Sequence, residues 1–266
     1  MPTPGTLPIR TEQYVSLYGK VALVTGAGRG IGRALATGLA ESGVRVGCVA
    51  RSQDELSRTV QLVASRGGSA LAVNADLGDP RTVPDIVHRV TAELGSPDIL
   101  INNAATVEPL GHSTDMTPDT WNAAFRLNVI TPAALSAALL PRMTAAGWGR
   151  IVNVSSGIVA RPETMIGGNA YAATKAALEA HTLNLATELT GTGVTVNVYR
   201  PGSVDTAMQA LIRRTGGGRL DAATYTRFLR SHEEGKLISA EDSALSLIAR
   251  LTDEATGQVW DVHDSR

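Results

Sequence analysis

One cysteine, Cys48, stands in a chain of 266 residues, so no disulfide can close within it. That suits a reducing compartment, and a cytoplasmic protein is expected. Cys48 lies in the apolar run 44–50 and reads as a small buried hydrophobe. An excess of either charge is also missing: 24 Lys and Arg against 25 Asp and Glu leave a formal net charge of −1. Without clustered basic residues the electrostatic footprint of a nucleic-acid binder is absent. No unbroken apolar run approaches the roughly 18 residues of a membrane span, so no membrane partner is expected. His88, His112, His181, His232 and His263 are scattered without a near His or Cys neighbour, which argues against a metal site. No G-x-S-x-G elbow exists for a serine hydrolase. The only strand–glycine–helix turn is followed by Arg33 rather than Lys-Ser or Lys-Thr, against a phosphoryl-transfer loop.

What the chain does have is 43% hydrophobic residues, enough for a full core. Short β-branched runs at 21–25, 44–49, 70–74, 99–102, 150–155, 195–199 and 258–262 are expected strands. Helical patterns at 32–42, 53–65, 82–94, 118–146, 171–190 and 240–251 lie between them. Continuous apolar strands joined by helices predict a parallel sheet covered on both faces. Residues 1–17 lack the apolar stretch of a signal peptide and read as a flexible N-terminal arm. The remainder, 18–266, reads as one domain. Within it, 203–238 is too long for a plain connection. Its Met208, Leu211, Ile212, Tyr225, Phe228 and Leu229 suggest either a lid over a partly apolar substrate or an extra packed helical layer.

The first strand runs into Thr25-Gly-Ala-Gly-Arg-Gly-Ile-Gly32, a strand, a glycine turn and a helix start. Gly26, Gly30 and Gly32 let backbone approach a pyrophosphate, and the helix N-terminus offers unpaired N–H groups. Arg29 and Ile31 belong to the same turn, so Gly26, Arg29, Gly30, Ile31 and Gly32 are the expected phosphate cradle. After the second strand, where many NAD sites carry a carboxylate for the ribose hydroxyl, the chain reads Arg51-Ser52. A guanidinium there favours the 2′-phosphate of NADP(H), with Arg29 and the Ser52 hydroxyl as further partners. NADPH is therefore expected to bind more tightly than NADH; an NAD-preferring alcohol dehydrogenase is the alternative.

Tyr171-Ala-Ala-Thr-Lys175 places a phenol and an ammonium one helical turn apart on one face. Upstream, a strand leads into Ser155-Ser156. Side chains alternate along a regular strand, so only one of the two can enter the site. A lysine charge about 5 Å from the phenol, at an effective dielectric of about 20, would lower its pKa by about 2.

The glycine turn, Asn102-Asn103-Ala104, Asn128, Ser155-Ser156, Tyr171-x-x-x-Lys175 and Pro201-Gly202 occur in an order that resembles the short-chain dehydrogenase/reductase family. The likeness covers about residues 18–262. It implies an α/β fold of Rossmann type, a doubly wound sheet of seven parallel strands with helices on both faces. It implies hydride transfer between a nicotinamide and a ketone or alcohol, with Tyr171 as general acid/base and Lys175 holding the nicotinamide ribose. Of the serines the resemblance selects Ser156 as the partner of the substrate oxygen, and it gives Asn128 a water-linked proton path. By the same resemblance Asp76, next to Leu77, meets the adenine, while Asn103 and Ala104 support the cofactor. Pro201, Gly202, Val204 and Thr206 surround the carboxamide, Val204 through its backbone. A small carbonyl or alcohol substrate and a homo-oligomer, a tetramer or dimer built on the two long helices, are also implied.

Two departures accompany the likeness. Ser156 and Tyr171 are 15 positions apart, slightly more than usual, which puts the 161–165 stretch beside the site. The chain ends Asp261-Val-His-Asp-Ser-Arg266, without the family's frequent terminal Gly-Gly. A nucleotide-sensing protein on the same fold is the alternative of another class, but a sensor has no need of Asn128, Ser156, Tyr171 and Lys175 together.

Overall fold

The structure, a computed structural model, describes residues 17–264; the arm 1–16 and residues 265–266 lie outside the described residues. Seven strands form one parallel sheet: β1 (Val21–Thr25), β2 (Arg45–Ala50), β3 (Ser69–Asn74), β4 (Ile99–Asn102), β5 (Gly149–Val154), β6 (Val194–Arg200) and β7 (Val259–Asp261). Their order is β3-β2-β1-β4-β5-β6-β7, with Val24 of β1 paired to Cys48 on one side and Ile101 on the other. The chain reverses its direction of travel between β1 and β4, which opens a crevice at the strands' carboxyl ends.

Alternation within each strand feeds two cores. Ala22 and Val24 of β1 face one side with Leu35, Leu39, Leu247 and Ile248. Val21 and Leu23 face the other with Ile86, Val90, Leu135, Leu139 and Leu185. These come from α1 (Gly30–Glu41) and α9 (Ala240–Ile248) on the first face, and from α3 (Val83–Leu94), α5 (Thr131–Ala145) and α6 (Asn169–Glu188) on the second. Each such side chain, fully buried, contributes roughly 1.5–3 kcal/mol. Cys48 is buried among them, and the loss of hydration pushes its thiol up to about 12, which makes it inert.

Three expectations need correction. Leu17, assigned above to the arm, is buried in the first core, and its carbonyl accepts the Lys20 N–H at 3.1 Å, so this residue belongs to the domain. The helix expected over 118–146 is broken into α4 (Pro118–Phe125), a π segment (Arg126–Ile130) and α5. Pro132 has no N–H to give the Asn128 carbonyl one turn earlier, and Thr131 N–H instead reaches back to the Arg126 carbonyl. This same stretch, Pro118–Ala145, is long and apolar enough in composition to match a membrane span, contrary to the reading of unbroken runs. Leu135, Leu139 and Met143 nevertheless pack it into the sheet's second core.

The 203–238 segment folds as two helices, α7 (Ala207–Thr215) and α8 (Ala222–Glu233), and a parallel bridge between Val204 and Ile238 closes its base. The remaining helix, α2 (Gln53–Ser65), packs between β2 and β3 with Ser52 as its cap, the Ser52 oxygen accepting the Glu55 N–H.

Candidate active site

Almost every residue singled out above follows the carboxyl end of a strand. Gly26 follows β1, Arg51 β2, Asp76 β3, Asn103 β4, Ser156 β5 and Pro201 β6. A parallel sheet puts all these ends on one edge, so the crevice collects them.

The glycine turn is tight. Gly26 has φ +67° and Gly30 φ +53°, a left-handed conformation that side chains disfavour. A Cβ on Gly32 would lie 2.2 Å from the Gly26 carbonyl oxygen, so α1 begins against the turn's own backbone. Arg29 occupies the N-cap of α1 and makes no side-chain capping bond, so the N–H groups of the helix's first turn have no cap. Arg33 braces the turn from behind, bonding the Gly28 carbonyl and donating to Thr59 Oγ1 at 3.1 Å. These uncapped donors fit the pyrophosphate of a dinucleotide.

Around the far end of the crevice, Arg51 is exposed, and Arg29 reaches Glu55 at 3.2 Å. Asp76 is exposed and accepts the Gly78 N–H at 2.9 Å, while Leu77 is buried and its carbonyl receives the Thr131 hydroxyl at 2.7 Å. Asn103 donates to the Thr25 carbonyl at 2.9 Å and so clamps β4 to β1 beside Gly26. The Thr25 hydroxyl takes the N–H groups of Asn103 and Ala104 at 2.9 and 3.0 Å. Thr25 was not singled out from the sequence; its place as the last strand residue before the glycines was the available signal. On the opposite wall Gly202 has φ +76°, Val204 pairs with Ile238, and Thr206 lies against Gly30, 3.3 Å from where a Cβ would stand.

The catalytic candidates converge. Asn128 is fully buried in the π segment; its Oδ1 accepts the Thr106 N–H at 2.9 Å, and its Nδ2 donates to the Thr106 carbonyl and Thr174 Oγ1 at 2.9 and 3.0 Å. Its amide therefore ties the loop after β4 to α6. The two serines diverge as alternation requires. Ser155 is buried and donates to Glu179 Oε1 at 2.7 Å, whereas Ser156 lies beside the Tyr171 phenol and its oxygen caps the turn at Ile158. Tyr171 and Lys175 sit on α6, with Lys175 Nζ 6.0 Å from the phenol ring centre and donating to the Val154 carbonyl at 2.7 Å.

Electrostatics here differ from the sequence expectation. Burial raises the Tyr171 pKa, and the Ser156 hydroxyl opposes that only in part. Burial also pulls Lys175 down from 10.5 to about 8, with the Glu179 carboxylate pushing back up. The expected fall in the phenol's pKa was reckoned from charge alone; desolvation is the larger effect in this setting. At neutral pH the pair is therefore a phenol and an ammonium.

Beside Tyr171, Val107, Leu110, Met165, Ile212 and Leu220 form a third apolar cluster, edged by Met208, Tyr225 and Phe228. The additional residues after Ser156 fold as two short turns and meet the 203–238 segment. Thr164 offers its carbonyl to Arg227 and to Thr224 Oγ1, the latter at 3.3 Å. At the C-terminus, Arg250 donates to the carbonyls of Asp261 and Asp264 at 3.1 and 3.0 Å. These bonds fasten residues 261–264 to the turn after α9.

The short chain dehydrogenase family profile matches residues 20–216, from the first strand through α7. This chain belongs to that family. It is 38% identical over 209 residues to a short chain dehydrogenase of Pseudocercospora fijiensis, covering 78% of this chain and 66% of that one. It is 35% identical over 218 residues to the 3-oxoacyl-[acyl-carrier-protein] reductase FabG of Pseudomonas aeruginosa, covering 79% and 87%. The crystal structure of L-sorbose reductase from Gluconobacter frateurii, complexed with NADPH and L-sorbose, superposes with a TM-score of 0.81 at 28% identity, covering 92% and 95%. The seven-stranded Rossmann-type sheet is thus the family's fold, and the chain is an oxidoreductase of a family that uses a nicotinamide cofactor.

Proposed function

We propose that this short-chain dehydrogenase uses NADP(H) and reduces a ketone to an alcohol, with Tyr171 as the proton donor. The observation that carries the reading is the meeting of Ser156, Tyr171 and Lys175 at the end of β5, across the crevice from the uncapped glycine turn. A bound nicotinamide supplies the hydride. Ser156 donates a hydrogen bond to the substrate oxygen, and Tyr171 holds a proton at Oη for that same oxygen as negative charge grows on it. Lys175 presents its ammonium to the ribose and to the emerging phenolate. The raised Tyr171 pKa keeps the phenol protonated at neutral pH, which supports reduction over oxidation.

The cradle of Gly26, Arg29, Gly30, Ile31 and Gly32 would hold the pyrophosphate. Asp76 and Leu77 would flank the adenine, and Pro201, Gly202, Val204 and Thr206 the carboxamide. Arg51 and Ser52, with Arg29, would hold the 2′-phosphate; the exposed Arg51 at the end of β2 supports NADPH over NADH. The third apolar cluster beside Tyr171 supports a substrate with an apolar substituent, and the 203–238 segment that supplies much of it acts as its lid. Ile130 (48% exposed), at the end of the π segment, and Leu183 (39% exposed), on α6, support pairing of chains into an oligomer.

The test is incubation with NADPH and a panel of ketones, followed by loss of reduced-cofactor absorbance. Tyr171→Phe should lose about 100- to 10,000-fold in turnover while binding NADPH as before. Full turnover in that variant overturns the assignment.

A further inference from the structure

The helix that carries Tyr171 and Lys175 carries a third ionisable group at the same spacing, Glu179. Successive steps of four keep Tyr171, Lys175 and Glu179 on one face of α6. Glu179 is 7% exposed, and its two oxygens are shared between two strand ends. Oε1 accepts Ser155 Oγ at 2.7 Å and Arg200 Nε at 2.9 Å, and Oε2 accepts Arg200 Nη2 at 2.7 Å. Ser155 immediately precedes Ser156, and Arg200 immediately precedes Pro201 and Gly202.

We propose that Glu179 is a positioning residue of the active site, tying the Lys175 turn of α6 to the strand ends that carry Ser156 and the Pro201–Gly202 loop. The inference rests on the catalytic reading given above, and concerns how that site is held rather than which substrate it takes. Two structural facts carry it. The Glu179–Arg200 pair is bidentate and half-buried, and it joins the Lys175 turn of α6 to the last residue of β6, directly before Pro201. The carboxylate is also the counter-charge that keeps the buried Lys175 ammonium from losing its proton more readily still. Lys175 shares its face of α6 with Tyr171 and Glu179, and the Glu179 carboxylate is the charge that acts on it; Arg200 of β6 bears on it through Glu179, and Asp261, the last residue of β7, and Asp264 act on Arg200. From the end of β5 the Val154 carbonyl accepts the Lys175 ammonium at 2.7 Å.

This arrangement gives opposite signs for the two members of the pair. Glu179→Gln removes the carboxylate that favours the Lys175 ammonium, so Lys175 should titrate about half to one pH unit lower. Arg200→Gln frees the carboxylate to act on Lys175, so the midpoint should rise by a similar amount. The chain has three lysines, Lys20, Lys175 and Lys236, so carbon-13 NMR of lysine-labelled protein follows Lys175 directly. The alkaline limb of kcat/KM for ketone reduction should move with it, down in the first variant and up in the second. A role in cohesion alone lowers activity equally at every pH and moves neither midpoint. Unchanged Lys175 midpoints in both variants, or shifts of the same sign, overturn the proposal; should one variant fail to fold, the sign in the other decides. If the wild type reduces no ketone in the panel, the catalytic reading fails, and the NMR titration still decides the part played by Glu179.

Discussion

Replacing Lys175 with methionine should make the cofactor-free protein more stable near neutrality while abolishing turnover. In the folded chain the ammonium is buried and its pKa drops from 10.5 to about 8. A cation whose folded pKa is lowered binds fewer protons in the folded state, so it opposes folding at low pH. That cost fades as pH rises through the interval from about 8 to 10.5. The drop corresponds to about 3 kcal/mol at pH 7 and about 1 kcal/mol at pH 9.5. Methionine fills a similar volume without charge, but it gives up the 2.7 Å hydrogen bond to the Val154 carbonyl. That bond is worth about 1 kcal/mol, so the net gain is about 2 kcal/mol at pH 7 and close to nothing at pH 9.5. Urea denaturation of both proteins at the two pH values measures this. Cys48, pushed up to about 12, lowers stability as pH rises beyond 9, but it is common to both proteins and cancels in the difference. A stability gap that stays constant between pH 7 and 9.5 would refute the buried ammonium, and a variant that still turns over would remove Lys175 from the mechanism.

Arg51→Ala should weaken NADPH binding by about 10- to 100-fold and leave NADH binding unchanged, since only the former loses a charge-assisted contact. Fluorescence titration of the two cofactors checks it; equal losses would put Arg51 outside the 2′-phosphate site. Gly32→Ala forces a methyl to 2.2 Å from the Gly26 oxygen, where only backbone can yield. It should cost about 3 kcal/mol, read as a lower Tm, and an unchanged melt would mean that the turn is not as tight as described. Asn128→Ala removes the bonds to Thr106 and Thr174 and should cost about 2–4 kcal/mol. Hydrogen exchange at the Thr106 amide should accelerate, and retained protection would show that another group holds the loop.

Much of this molecule was readable from local rules. The seven strands are short apolar runs, and in all seven the expected bounds lie within one residue of the observed ones at each end. Strand periodicity also anticipated that Ser155 and Ser156 would part company. The glycine turn was legible because Gly26, Gly30 and Gly32 are required by backbone geometry rather than by partners far away. Helix spacing placed Tyr171 and Lys175 on one face, and the same rule extends to Glu179.

Tertiary structure alone decided the rest, because burial and long-range pairing have no local signature. The π segment depends on Pro132 and on Asn128 reaching Thr106 and Thr174, 22 and 46 positions away. That Leu17 belongs to the core could not be told from a segment that otherwise reads as polar and proline-rich. The charge pattern put a lysine near a tyrosine, yet only the packed interior established that desolvation governs both groups. The pairing of Glu179 with Arg200 likewise required α6 to lie across the ends of β5 and β6. Local chemistry selected the turns and faces; which groups are dry, and whom they meet there, follows from how the layers close on one another.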